Sequence, residues 1–404
     1  MIDDDAPEGY DDVKELVASL RRPLRSLIAL SPDSDPYLAD RPARLATAQW
    51  VAELYERLNF KPGTHIRRIH YVLVSQPTPV LMVNGKPYEN TIRCSAILID
   101  GARDARYLGL IPANTIIDRR NPAPTIYLTD EDECPAEIDT SDTGYIDTMS
   151  GGDLSYYASE VRLPSVSVTK PKVAQPYHLE IWCEKSTMND ILMPLGSEYR
   201  INIITGVGEM STTACEDLID RAEASDRPVR ILYVSDFDPA GQSMPVAVAR
   251  KIEFYARKSG LEFDIQVRPV VLTHEQCIEY QLPRTPLKTT ERRAGKFEAR
   301  FGEGATELDA LEAIHPGVLR RILVTEIERY YDGDLADNIQ EVVSEVEDDL
   351  EQIESQTSTS TPTRSRRWPR SVKPSTPRAP RRSRRSANSW HPRRRPIRRG
   401  HASS

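Results

Sequence analysis

Long apolar runs are missing from this chain. Nowhere in its 404 residues do apolar side chains continue for the ~18 positions that a membrane-spanning helix needs, so no membrane association is expected. The opening MIDDDAPEGYDD is acidic, unlike the basic and apolar leader of a secretory signal, and a cytoplasmic location is expected. Cysteine is scarce: Cys94, Cys134, Cys183, Cys215 and Cys277 are scattered, with no C-x-x-C pair. That spacing argues against a zinc site or a disulfide framework and reads as five reduced thiols. No internal repeat of 20–50 residues is present. The last 48 residues, 357–404, contain no Asp or Glu at all.

Those same residues carry 15 Lys+Arg, which leaves 38 basic against 61 acidic residues in 1–356, a net of −23 within an overall charge of −8. Rich in Ser, Thr, Pro and Arg, the segment 357–404 cannot build a core and is expected to be a disordered basic tail. A body so acidic is not expected to hold DNA phosphates by bulk charge. Either its cations cluster on one face, or the working salt is high, or the tail supplies the attraction. The apolar content of 39% suffices for sizeable cores in two or three domains.

The chemistry concentrates in ILYVSDFDPAGQSM, residues 231–244. Ile231 to Val234 read as a short buried strand, and apolar periodicity resumes at Met244, Val246, Val248 and Ala249 as a helix. Asp236 and Asp238 therefore stand two apart at the carboxyl end of a strand, where open α/β sheets place their sites. Taken alone, Asp-x-Asp is also a common surface turn. As a hard-oxygen pair it suits Mg²⁺, which takes one or two carboxylates and keeps waters for a phosphate. Gly241 is expected to let the backbone pass close to that ion or its ligand.

A second strand, HLEIWCE at 178–184, ends in Glu184. A third, INIITGVGE at 201–209, enters a Gly-rich turn that no Lys-Ser/Thr follows, so it is not a Walker A loop. A strand ending in Glu, followed some 50 residues later by a strand ending in Asp-x-Asp-x-x-Gly, resembles the Toprim domain shared by topoisomerases, bacterial primases and certain nucleases. The resemblance implies that Glu184 handles protons and that Glu184, Asp236 and Asp238 hold Mg²⁺, with Mn²⁺ as a substitute. INIITGVGE is similar to the Gly-containing turn of topoisomerase VI A subunits.

Upstream, 1–40 reads as an acidic, partly ordered arm with one amphipathic piece, Val13 to Leu30. Apolar spacing predicts a helix over 41–59, and Pro62-Gly63 breaks it. Thr64 caps a second helix over 65–76. Asn84-Gly85 marks a hairpin, and Asn90 caps a long helix over 91–108. Two strands are expected at 111–118 and 125–129, around RRNPAP. Three helices and a two-stranded ribbon with an Arg-rich tip is the order of a winged helix, which defines a DNA-binding domain over 41–129; a generic small α+β domain is the other reading. An acidic, turn-rich and Pro-punctuated linker spans 130–175. The α/β domain, Rossmann-like with a mostly parallel sheet, runs over 176–335. An acidic helix follows at 336–356.

Within the second helix, IRRIHY resembles the R-D-I-x-Y signature of topoisomerase VI A subunits and of the related meiotic double-strand-break transesterase. In that family a winged-helix domain precedes the Toprim domain. The resemblance implies that Tyr71 is the nucleophile and that Arg67 is its signature arginine. Arg68 stands where the family has Asp, and His70 where it has an aromatic residue. A phenol with pKa ~10 needs positioning or deprotonation to attack, and the phosphodiester oxyanion needs the cation and Arg67. Residues 41–335 are covered, in a compactness closest to the stand-alone Mini-A proteins. The implied activity is Mg²⁺-dependent breakage of double-stranded DNA by tyrosine transesterification. It would be carried out by a nucleoid-associated homodimer in which each protomer lends Tyr71 to the other's metal site, and an ATP-driven cycle would need a separate B-type ATPase subunit. Two alternatives stand beside it: a nuclease using metal-activated water, with Tyr71 structural, and a non-catalytic DNA-binding protein.

Overall fold

The computed structural model describes residues 7–116, 121–128, 138–139, 165–166, 174–261 and 264–360. The chain divides into two units, Met1–Leu350 and Glu351–Ser404. Of the basic tail expected at 357–404, residues 357–360 are helical, continuing the acidic helix, and those from 361 onward lie outside the described residues.

The amino-terminal part is helical. Helix α1 (Tyr10–Leu20) is short, and beyond it the amphipathic piece turns away. Buried Val13, Tyr37 and Leu38 form a small core here. Fully buried Asp35 accepts the backbone N–H groups of Ala29, Leu30 and Tyr37 and pairs with Arg250 at 3.1 Å, so residues 29–37 of this arm are docked. Helices α2 (Pro42–Arg57), α3 (Ile66–Val74) and α4 (Ile92–Tyr107) share one core that includes Val51, Leu54, Ile69, Leu73 and Leu98. Thr91, not Asn90, caps α4, accepting the Cys94 N–H at 3.2 Å. The Asn84-Gly85 turn joins Leu81 to Pro87 as an antiparallel bridge, with Gly85 at φ 74°.

The expected ribbon differs from what is observed. Ala113–Thr115 is a turn of 3₁₀ helix, started by Pro112, whose fixed φ suits a helical first turn better than a ladder. Thr125 bridges Ile203 on the edge of the main sheet, where unpaired strand N–H and C=O groups offer a better ladder than a free ribbon does. Residues 117–120 and 129 lie outside the described residues. So does most of the 130–175 linker, apart from β1 (Ile138–Asp139) and β2 (Ser165–Val166), which pair antiparallel.

The second part is α/β. Strands β3 (His178–Cys183), β4 (Asn202–Thr205), β5 (Val229–Val234) and β6 (Ile265–Val271) form an all-parallel sheet in the order β4-β3-β5-β6. Every residue of β3, β4 and β5 is buried, as expected where helices cover both faces of a parallel sheet. The crossovers are α5 (Asn189–Tyr199), α6 (Thr212–Ser225) and α7 (Pro239–Lys258). One face packs Ile181, Leu192, Leu232 and Leu323; the other packs Trp182, Leu218, Tyr233 and Val248. After β6 comes α8 (His274–Glu279), started by a capping box between Thr273 and Gln276. Helices α9 (Ala294–Phe301), α10 (Leu308–Ile314), α11 (Val318–Ile327) and α12 (Leu335–Ser360) complete the described chain. Among the described residues no helix is long and apolar enough to cross a membrane.

Candidate active site

Strands β3 and β5 are neighbours, with Cys183 opposite Val234. The Glu184 N–H donates to the Val234 carbonyl at 3.1 Å and carries the ladder one residue beyond β3. From this point β3 leads outward to β4, and β5 leads the other way to β6. Diverging connections leave a crevice at the carboxyl ends of the two strands, and Glu184 and Asp236 stand in it.

The two residues are in contact: the Asp236 N–H donates to Glu184 Oε1 at 3.2 Å. Glu184 is 6% exposed, and its Oε2 has no partner. Burial, and then the adjacent Asp236 carboxylate, push the Glu184 carboxyl up to about 8. Asp238 caps α7, accepting the Gly241 N–H on Oδ1 at 2.6 Å. Its carboxyl is also raised, by burial first and then by Asp236. Gly241 has a different reason from the one expected. A Cβ at this position would lie 2.0 Å from the carbonyl oxygen of Asp236, so the glycine admits the chain's own turn.

Three further residues complete the cluster. Phe237 and Thr306 pair antiparallel, with N–H···O distances of 2.9 and 3.0 Å. This brings the start of α10 against the end of β5. The Leu308 N–H donates to Asp236 Oδ1 at 2.7 Å. Lys185 Nζ lies 2.9 Å from Asp236 Oδ1, 2.9 Å from Asp309 Oδ2 and 2.5 Å from Glu307 Oε2. Burial would lower the Lys185 ammonium's pKa, but Glu307, Asp236 and Asp309 outweigh that and raise it. Sequence reasoning missed all three. Lys185 carried a faint signal as the residue after Glu184. Glu307 and Asp309 look like ordinary acids at a helix start, and nothing in their spacing ties them to a turn 70 residues upstream.

Among the described residues no three His, Cys, Asp or Glu side chains stand as a ready-made metal cage. Asp236 is engaged by Lys185 and Leu308, and Asp238 by the start of its own helix. The donor set nevertheless fits a hard cation. The oxygens are carboxylate oxygens, and the buried, unpartnered Glu184 Oε2 is an atom that burial disfavours unless a proton or cation meets it.

Tyr71 and Arg67 stand elsewhere. On α3, Ile69, His70 and Leu73 face the core. Arg67 and Tyr71, four residues apart, share the opposite face, and Tyr71 is 58% exposed. His70 lies edge-on to Tyr71 with ring centroids 5.1 Å apart. It is pinned by Tyr88 Oη at 2.7 Å and by Asn90 Oδ1 at 3.1 Å. Tyr71 and Arg67 line a cavity of about 910 Å³ that Arg106, Lys251 and the start of α6 close on the other side. Glu184, Asp236 and Asp238 are not among its lining residues. One chain thus gathers the carboxylates at one place and the phenol and guanidinium at another.

The chain matches no protein-family model and no curated protein.

Proposed function

We propose that this chain breaks double-stranded DNA by transesterification in the manner of topoisomerase VI A subunits, with Tyr71 as nucleophile. The observation that carries the reading is the exposure of Tyr71, 58% on a helix whose neighbours Ile69, His70 and Leu73 are buried. A tyrosine kept for packing would turn its ring inward; this one is more than half exposed, one turn from Arg67. In this reading residues 41–129 act as a winged-helix domain and 176–335 as a Toprim domain.

The Tyr71 oxygen attacks the phosphorus of a backbone phosphodiester. The new O–P bond forms as the bond to the departing sugar oxygen breaks, and the phenolic proton leaves with the sugar hydroxyl or through Glu184. Arg67 neutralises a phosphate oxygen. Glu184, Asp236 and Asp238 would hold Mg²⁺ or Mn²⁺, which supplies Lewis-acid stabilisation of the phosphate oxygens. Because Tyr71 and the carboxylates stand apart within one chain, this reading requires a homodimer in which each protomer completes the other's site. A separate ATPase subunit would serve an ATP-driven cycle.

A second reading is favoured by the same separation. If protomers do not exchange Tyr71, the carboxylates alone would support hydrolysis by metal-activated water. Supercoiled plasmid incubated with protein and Mg²⁺, then denatured with and without protease, separates the two. Transesterification leaves DNA attached to wild-type protein and none to Tyr71→Phe, which keeps the ring. Unattached ends at the wild-type rate from Tyr71→Phe would refute the Tyr71 role and leave the nuclease.

A further inference from the structure

The carboxylate cluster holds more negative charge than Glu184, Asp236 and Asp238 account for. The pairing of Thr306 with Phe237 adds Glu307 and Asp309, so five acids gather at the ends of β3 and β5. Lys185 contacts three of them: Asp236, Glu307 and Asp309. Among the described residues neither Glu184 nor Asp238 forms an ion pair, and Arg293 acts on Asp238 only at longer range. The cluster is therefore divided. One side is neutralised by an ammonium. The other contains the buried Glu184 oxygen without a partner.

Asp236 is the hinge of this division. Its Oδ1 accepts both Lys185 Nζ and the Leu308 N–H, while its own backbone N–H donates to Glu184 Oε1. A carboxylate bridging two cations is how two-metal sites hold ions about 3.5–4 Å apart. An ammonium is a compact point charge with three donors, able to stand where a second ion would.

Resting on the metal reading above, we propose that Lys185 is a built-in second cation of this centre. Held by Asp236, Glu307 and Asp309, its ammonium takes the place of a second divalent ion. The centre then binds one divalent ion, on the side of Glu184 and Asp238, with Asp236 shared between the ion and the lysine.

The test is a count of ions. The full chain is titrated with Mn²⁺ alone, with bound ion followed by calorimetry and free Mn²⁺ by electron paramagnetic resonance. Wild-type protein should bind one Mn²⁺ per chain. Lys185→Ala should bind two, because three acids lose their ammonium, and adding Glu307→Gln with Asp309→Asn should return the count to one. Two ions in the wild type would overturn the inference, showing the lysine to be a plug that metal displaces, and would leave the proposed function standing. One ion in both wild type and Lys185→Ala would also overturn it. No ion in the wild type would sink the metal reading itself. The wild-type count needs no variant to fold.

Discussion

The carbonyl oxygen of Asp236 sits where a side chain on residue 241 would have to be. A Cβ on Gly241 would lie 2.0 Å from that oxygen and 3.1 Å from its carbon. Both atoms are backbone, so neither can swing aside. The tight turn from β5 into α7 therefore exists only with glycine here, and it is this turn that sets Asp236 beside Glu184 and puts Asp238 at the helix cap. Gly241→Ala should cost roughly 3 kcal/mol, the upper range for overpacking a rigid site. Urea unfolding of wild type and variant measures it; a loss under about 1 kcal/mol, the ordinary size for a point change, would show that the turn relaxes freely.

The Glu184 carboxyl is pushed up to about 8, by burial and then by Asp236, against an ordinary value of 4.5. A raised acid favours the fold while protonated. Its contribution is fully present below about pH 4.5 and is lost as pH rises through about 8. In metal-free protein Glu184→Gln should flatten this decline and raise the melting temperature near pH 8. Added Mn²⁺ should stabilise the wild type more than the variant. Parallel melting curves for the two proteins from pH 5 to pH 9 would contradict the assignment.

Glu180 behaves in the opposite sense. It is fully buried on β3 and receives Arg221 at 2.7 and 3.0 Å, Trp182 Nε1 at 2.7 Å and Asn202 Nδ2 at 3.1 Å, with His178 Nε2 at 3.0 Å. Burial would raise this carboxyl, but Arg221 and His178 outweigh it and hold it well below the usual carboxylate range. A depressed acid stabilises the fold above its ordinary value of 4.5, and that stability is lost as pH falls below it. Arg221→Leu leaves the charge buried without its main partner and should cost about 3–5 kcal/mol. Glu180→Gln with Arg221→Leu should recover part of that loss and remove the acid dependence of stability between pH 5 and 3. Denaturant unfolding across this range reads both effects.

The charge asymmetry predicts that residues 357–404 supply non-specific DNA affinity. With 15 Lys+Arg and no acid, the segment releases counterions on binding, so affinity should fall steeply with salt. Removing 361–404 should flatten that dependence. An unchanged salt slope for the truncated protein would show that the tail does not touch DNA.

Much of this protein follows from local sequence. The segments 178–183 and 229–234 become buried parallel strands, because β-rich segments between helical crossovers pack as a covered α/β sheet. Glu184 and Asp236 were legible as a pair because Glu184 directly follows one such strand and Asp236 stands two residues beyond the other, at neighbouring carboxyl ends. Arg67 and Tyr71 share a face by helix periodicity alone. Other features were decided only in three dimensions. The segment 111–116 did not become a strand, since Pro112 starts a helical turn and the open edge of β4 captures Thr125 instead. Glu307, Asp309 and Lys185 met only because Thr306 pairs with Phe237, a contact between residues that no periodicity connects. Sequence spacing records which residues share a strand or a helix face, whereas the sharing of charge among five carboxylates and one ammonium depends on which distant turns pack together.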